Sequence, residues 1–376
     1  MTRLTGTLFA VILVSGGIVL ATNREDTGVV RMYYVAADEV VWDYAPTGEH
    51  KSAGRPFNEF ERNHMESGPT RVGRVHKKAL YHEYTDSTFT RRVQRAAEWE
   101  HLGALGPVIR AEVGDTIKIL FRNNTNFPAS MHPHGVFYTK DSEGAPYADG
   151  TQGADMADDG VPPGGSHLYV WPVPYRAGPA EGGLSTAFWM YHSHTDEVKD
   201  VNTGLTGPMI IGRKGALGED GTPTDVDREL VVAFAEYDEN ENHYLRENLD
   251  TYATNPDSVT IVLTPFGRQQ QPDGPFNFKE TINGFTFGHT PGLTMNVGDR
   301  VRWYVMASTN FEFHAPHWHG NVVTINRMHT DVASLTPMEM LIAEMTPDNP
   351  GQWLFHCHLG AHHEMGMQSI YTVNAP

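Results

Sequence analysis

The sequence predicts an all-β protein built from two tandem β-sandwiches. Three observations carry this. Turn formers are dense, 37 Gly and 24 Pro in 376 residues, which favours many short strands over long helices. Apolar and polar residues alternate over short segments bounded by Gly, Pro and Asp. The chain also repeats itself once, and its length suffices for two domains of about 150 to 200 residues, each burying its own core.

In chain order, the first element is an apolar run from Leu8 to Leu20, preceded by Arg3. It is short for a bilayer span and ends at Val19-Leu20-Ala21, small enough for cleavage. Residues 1–21 therefore read as an export signal, with an uncleaved anchor as the alternative. The expected location is periplasmic, extracellular or cell-surface.

The repeat comes next. Residues 106–135 read "GPVIRAEVGDTIKILFRNNTNFPASMHPHG" and residues 292–320 read "GLTMNVGDRVRWYVMASTNFEFHAPHWHG". Both run from an apolar strand through Val-Gly-Asp into an alternating strand, then His-x-His-Gly. The Asp-to-Gly interval is 20 residues in one copy (Asp115 to Gly135) and 21 in the other (Asp299 to Gly320). Each copy closes on an aromatic strand with a second His-x-His, "FWMYHSH" ending at His194 and "QWLFHCH" ending at His358. Gly204-Leu205 and Gly366-Met367 then lead into a last strand. This pattern predicts one antiparallel sandwich per copy. The Gly/Asp-rich stretch from about Asp141 to Gly165 reads as a loop. The polar, turn-rich stretch Arg213–Arg228 marks the boundary, placing the domains at residues 28–215 and 225–376.

Charge narrows the function classes. With 46 acidic against 28 basic residues the chain is a poor partner for nucleic acid, whose phosphates need a basic surface. Such a balance suits cationic substrates, or it is simply a solubilising surface.

In a strand, side chains at i and i+2 share a face, so His-x-His aims two imidazoles at one point. Four such pairs occur at equivalent places in the two copies: His132/His134, His192/His194, His317/His319 and His356/His358. Eight imidazoles, four from each domain, can hold several metal ions where domains meet. Other histidines, among them His50, His64, His101 and His289, fall in no pattern.

Cys357 is the only cysteine and sits between His356 and His358, so its side chain faces away from that cluster. On its own side it can be joined by His314, His362 and Met367. Two imidazoles, one thiolate and a weak axial thioether define a blue-copper electron-transfer site. Zinc is the competing reading, but structural zinc sites are usually closed and often richer in cysteine. The first copy has no equivalent, because Ser193 replaces the cysteine and Leu205 the methionine. One electron-entry site per chain follows.

Together, "HPHG", "HSH", "HAPHWHG" and "HCHLGAHHEMGM" resemble the motifs of the multicopper oxidases. The resemblance runs from about Val30 to the C-terminus. "YYVAADEVVWDYAP", "GRVHKKALYHEYTDSTF" and "INGFTFGHTPGLTM" look like the ceruloplasmin branch, while the two-domain length looks like the small laccase-like oxidases. The resemblance implies cupredoxin-like Greek-key sandwiches and four copper ions. Type 1 copper would take His314, Cys357, His362 and Met367, and type 2 copper His132 and His317. The type 3 pair would take His134, His192, His194, His319, His356 and His358. It also implies one-electron oxidation of a small reducing substrate, reduction of dioxygen to water, and a homotrimer whose clusters lie between subunits.

Dioxygen reduction consumes protons. Asp149 stands where relatives hold an acid near type 2 copper, or it is a turn residue before Gly150. His363 and Glu364, where many relatives carry an acid, are the other relay candidates. Glu239 and His243 in "YDENENHYL" resemble part of a substrate site for Fe(II), although Ala361 stands where that pattern has an acid. Met328, Met338, Met340, Met345 and Met365 could pass Cu(I), or they are packing residues. Two rivals stand beside the oxidase, a copper nitrite reductase and a non-catalytic copper carrier or electron-transfer protein.

Overall fold

The computed structural model describes residues 28–264, 267–271, 277–309 and 312–376. The expected leader lies outside the described residues. Alternation builds the strands: in Thr116–Asn123, Ile117, Ile119 and Phe121 point inward and are fully buried, while their neighbours are half-exposed. Burying each such side chain contributes about 1.5 to 3 kcal/mol.

Two sandwiches result. In the first, a sheet ordered Val75–Glu83, Val30–Asp43, Thr116–Asn123, Ser166–Pro172 accompanies one ordered Ile109–Glu112, Thr206–Gly212, Thr186–His192, His132–Pro133. In the second, a six-stranded sheet runs Phe278–Ile282, Arg228–Asp238, Val301–Ala307, Met340–Met345, Val323–Ile325, Met328–Thr330. Its companion runs Thr294–Asn296, Gln368–Asn374, Gly351–Cys357, Pro316–Trp318. One core lies around Trp171, Tyr169 and Phe121, the other around Trp303, Trp318 and Phe355.

The purely antiparallel expectation is corrected, because each of these four sheets contains a parallel pair. Val30–Asp43 runs parallel to Thr116–Asn123, and Arg228–Asp238 to Val301–Ala307. The reason is topological. The chain crosses to the facing sheet before it returns, so the returning strand enters from the same end as the first.

A third apolar cluster joins the sandwiches. Phe188, Met190 and Ile210 of the first pack on Val231, Tyr304 and Met306 of the second, and Thr186 Oγ1 lies 2.9 Å from the Tyr304 hydroxyl. Met338 and Met340 pack against this seam and Met345 enters the second core. No helix among the described residues is long and apolar enough to cross a membrane.

The seam also holds a buried charge network, and it corrects the expectation for Glu239. That carboxylate is fully buried and pairs with Lys78 of the first sandwich. It also accepts hydrogen bonds from Tyr44 and from Asn242, and His76 Nδ1 lies 3.2 Å away. These cations and donors hold Glu239 far below the usual carboxylate range despite its burial. It offers nothing to a substrate. Glu239→Ala would strand Lys78 as an unpaired buried cation, and we expect it to lower stability by about 3 to 5 kcal/mol, read from denaturant unfolding.

Candidate metal centre

The first histidine group is assembled by strand register. His132 pairs directly with His192 across adjacent strands, which brings both His-x-His pairs onto one edge. Ring centroids of His132, His134, His192 and His194 lie 5.2 to 5.7 Å apart in five of their pairs, and His134 Nε2 is 3.2 Å from His192 Nε2. The second group repeats this. His317 pairs with His356, and His317 Nδ1 and His319 Nε2 each lie 3.1 Å from His356 Nε2. The ligand atoms of His317, His319 and His356 all lie within 4.8 Å of one another.

The glycine closing each His-x-His-Gly has a physical reason. Gly135 and Gly320 have φ of 80° and 72°, and a Cβ on either would sit 2.4 or 2.3 Å from the ring of Trp189 or Trp353.

Hydrogen bonds set the tautomers. His132 Nδ1 donates to Glu143 O at 2.7 Å, His192 Nδ1 to Ser193 O at 3.0 Å, and His356 Nδ1 to Cys357 O at 2.8 Å. Each leaves Nε2 unprotonated, with the lone pairs of His192 and His356 turned toward the neighbouring imidazoles. Burial, reinforced by neighbouring imidazoles, pushes His134 and His356 down to about 4 and His192 well below its usual range. These three rings are thus neutral at pH 7, as metal ligands must be.

The two groups are separate. Among the described residues, no ring contact joins a histidine of the first group to one of the second. One chain therefore presents two half-sites.

Behind the second half-site lies the cysteine. Cys357 and Met367 are fully buried, and His314 and His362 nearly so. Cys357 Sγ is 3.6 Å from His362 Nδ1, and the ligand atoms of His314, Cys357 and His362 lie within 4.8 Å of one another. Ala315 N donates to Sγ at 3.3 Å. Both ring nitrogens of His314 are buried without a hydrogen-bond partner. Burial pushes His314 to about 3 and His362 to about 4, and raises the Cys357 thiol. A buried imidazole with two idle nitrogens beside a thiol and a second neutral imidazole is unsatisfied as a protein core and satisfied by a soft metal ion. The donor set fits copper.

Of the acid–base candidates, only His363 touches a half-site, its ring centroid 4.5 Å from that of His356. Asp149 is instead paired with Lys140 at 2.8 Å and accepts from Thr151, which hold its carboxylate far below the usual range. Glu364 is exposed at the end of the short helix Gly360–Glu364. His243 is turned away from any substrate face, bonding Asp200 and stacking on Phe127.

Sequence reasoning missed Glu236 and Glu280. They are direct cross-strand partners, and their carboxylates lie with His362 within 4.8 Å of one another. Glu280 Oε2 is buried without a hydrogen-bond partner, 3.9 Å from His362 Nδ1. Burial raises both carboxyls, and the Glu312 charge adds to it. Like charges directly opposite destabilise a sheet. The available signal was a buried-strand pattern interrupted by an acid at each position, Glu236 after "LVVAFA" and Glu280 in "FKETI".

Comparison with known proteins completes the description. Residues 83–216 and 253–375 each match a family model described as multicopper oxidase. The chain is 41% identical over 350 residues to human "Ferroxidase HEPHL1", covering 92% of this chain and 29% of that protein. It is 40% identical to human hephaestin (93% and 30% covered) and 39% identical to rat ceruloplasmin (94% and 32%). The chain thus spans about three tenths of the length of the curated relatives it matches. Among solved structures, a multicopper oxidase matches with a TM-score of 0.56 at 19% identity, covering 92% of this chain and 89% of the other. The blue copper oxidase of Nitrosomonas europaea matches with a TM-score of 0.57 at 18% identity, covering 92% and 86%. These structural matches establish the cupredoxin-like sandwich fold. Matched along both sandwiches, and carrying the histidine groups and the cysteine described above, the chain belongs to the multicopper oxidases.

Proposed function

We propose that the protein couples one-electron oxidation of a small reducing substrate, beside His362 and Cys357, to four-electron reduction of dioxygen to two waters. The observation that carries this is the pair of complementary half-sites, with the cysteine joined directly to one of them. Bound copper supplies the electron transfer and the dioxygen chemistry. His314, Cys357, His362 and Met367 hold one ion. His132 and His317 hold the second, and His134, His192, His194, His319, His356 and His358 the remaining two. Cys357 is bonded covalently to His356 and His358, and the His356 ring also donates to its carbonyl. Substrate side and dioxygen side thus share one short stretch of backbone. His363, whose ring lies against that of His356, moves protons at the second half-site.

The half-sites complete each other between copies, head to tail, closing a homotrimer. Two further observations support this. An exposed apolar side chain follows each His-x-His-Gly closely in sequence, Phe137 three residues after His134 and Val322 three residues after His319. Three copies also sum to about the length of one curated relative. The protein works outside the cytoplasm, delivered by the leader.

For the reducing substrate, either a phenolic compound or a low-valent metal ion, the geometry favours the metal ion. Glu236 and Glu280 set two hard oxygen ligands against His362. Glu280→Gln keeps the shape and removes the carboxyl group that can ionise against a bound cation. Its KM for Fe(II) is expected to rise about tenfold, the loss of about 1.4 kcal/mol of binding, with phenol oxidation unchanged. Equal effects on both substrates would place the phenol at the same site. The proposed reaction is tested by its stoichiometry: four equivalents of reductant consumed per dioxygen, with no hydrogen peroxide released. Peroxide as the main product would overturn it.

A further inference from the structure

The first sandwich carries the shell of a second cysteine site with its contents replaced. Ser193 stands at the Cys357 position: Ser193 N donates to Leu205 O at 3.1 Å as Cys357 N does to Met367 O, also at 3.1 Å. Ser130 N donates to Ser193 Oγ at 3.0 Å where Ala315 N donates to Cys357 Sγ at 3.3 Å. Asp200 lies four residues before Gly204, as His362 lies four before Gly366. Ala129, Ser193, Asp200 and Leu205 thus take the places of His314, Cys357, His362 and Met367.

A buried carboxylate replaces a metal ligand here, and Asp200 is fully buried. Such a group needs donors. Its Oδ2 accepts from Ser193 Oγ at 2.6 Å and Asp196 N at 3.0 Å. Its Oδ1 accepts from His243 Nε2 at 2.8 Å, and His243 belongs to the second sandwich. Phe127 stacks on the His243 ring with centroids 3.7 Å apart, and Thr203 Oγ1 accepts from His243 N at 3.0 Å.

The bonds continue to the first half-site. Ser193 lies between His192 and His194. Its partner Ser130 accepts from His194 N at 3.0 Å through Oγ, donates to Gly144 O at 2.6 Å, and lies two residues before His132. One hydrogen-bonded chain therefore ties His243 to the backbone that mounts three of the four first-sandwich imidazoles. We infer that His243 is a positioning residue: through Asp200 and Ser193 the second sandwich fixes the alignment of the first half-site for metal. The inference rests on the proposed copper cluster.

The test separates donor from ring. His243→Phe keeps a flat ring against Phe127 and removes the donor, while His243→Gln keeps a donor and removes the ring. In the assembled copper-loaded protein, His243→Phe should hold cluster copper about tenfold more weakly against a competing chelator. Its blue-copper paramagnetic signal should be unchanged, and His243→Gln should behave close to wild type. In the copper-free protein, the Ser130 and His194 amides should exchange hydrogen faster in the Phe variant only. Cluster copper and amide exchange unchanged in His243→Phe, equal losses in Phe and Gln, or parallel loss of the blue signal would each overturn the inference. A wild-type protein that binds no cluster copper defeats the proposed function, and the amide exchange then decides the positioning role by itself.

Discussion

Cys357→Ser is expected to abolish the blue colour and cut oxidase turnover about a thousandfold or more, some 4 kcal/mol of barrier, while leaving copper bound by the histidine cluster. The colour requires a thiolate donor, and serine has none. The loss will not come from misfolding, because the chain already contains the control. Ser193 occupies the matching backbone position and accepts the matching amide, Ser130 N, at 3.0 Å. The hydroxyl introduced in place of the thiol would find Ala315 N in the same place, so the stability change should stay at about 1 kcal/mol. Visible absorption and copper analysis check both halves of the expectation. A serine variant that stays blue would mean that the sulfur is not the ligand.

The second large effect is a recovery. His132→Ala/His134→Ala and His356→Ala/His358→Ala each destroy one half-site and should each be inactive. Mixed in equal amounts after dissociation and reassembled, they should regain about one quarter of wild-type activity, the fraction of head-to-tail interfaces that join two intact half-sites. The arithmetic follows from the separation of the two imidazole groups within one chain. Properly reassembled mixtures without activity would place both halves of each cluster in a single chain.

Much of this was legible in the sequence because the relevant geometry is local. His-x-His in a strand fixes two imidazoles on one face, and duplication supplies the partner strand in register, so His132 met His192 and His317 met His356. Cys357, between two of them, could only face the other way. What was not legible depends on partners far along the chain. Glu239 and His243 read as a substrate face, yet Lys78 lies 161 residues from Glu239 and Asp200 lies 43 from His243. Glu236 and Glu280 are 44 residues apart in sequence, and only strand pairing sets them side by side. Asp149 read as a proton donor, and Lys140 holds it as a paired anion. The parallel strand pairs escaped for a similar reason, since alternation reports which face is buried and not which way a neighbour runs.

The central claim, that eight imidazoles and one cysteine together make a four-copper oxidase, is tested most directly by the copper content of the assembled protein. Metal analysis with paramagnetic resonance should give four copper ions per chain, one of them blue and one an ordinary mononuclear site, with the remaining two silent as a coupled pair. Two coppers per chain would indicate a nitrite reductase arrangement and one a carrier, and either count in fully loaded protein would contradict the account.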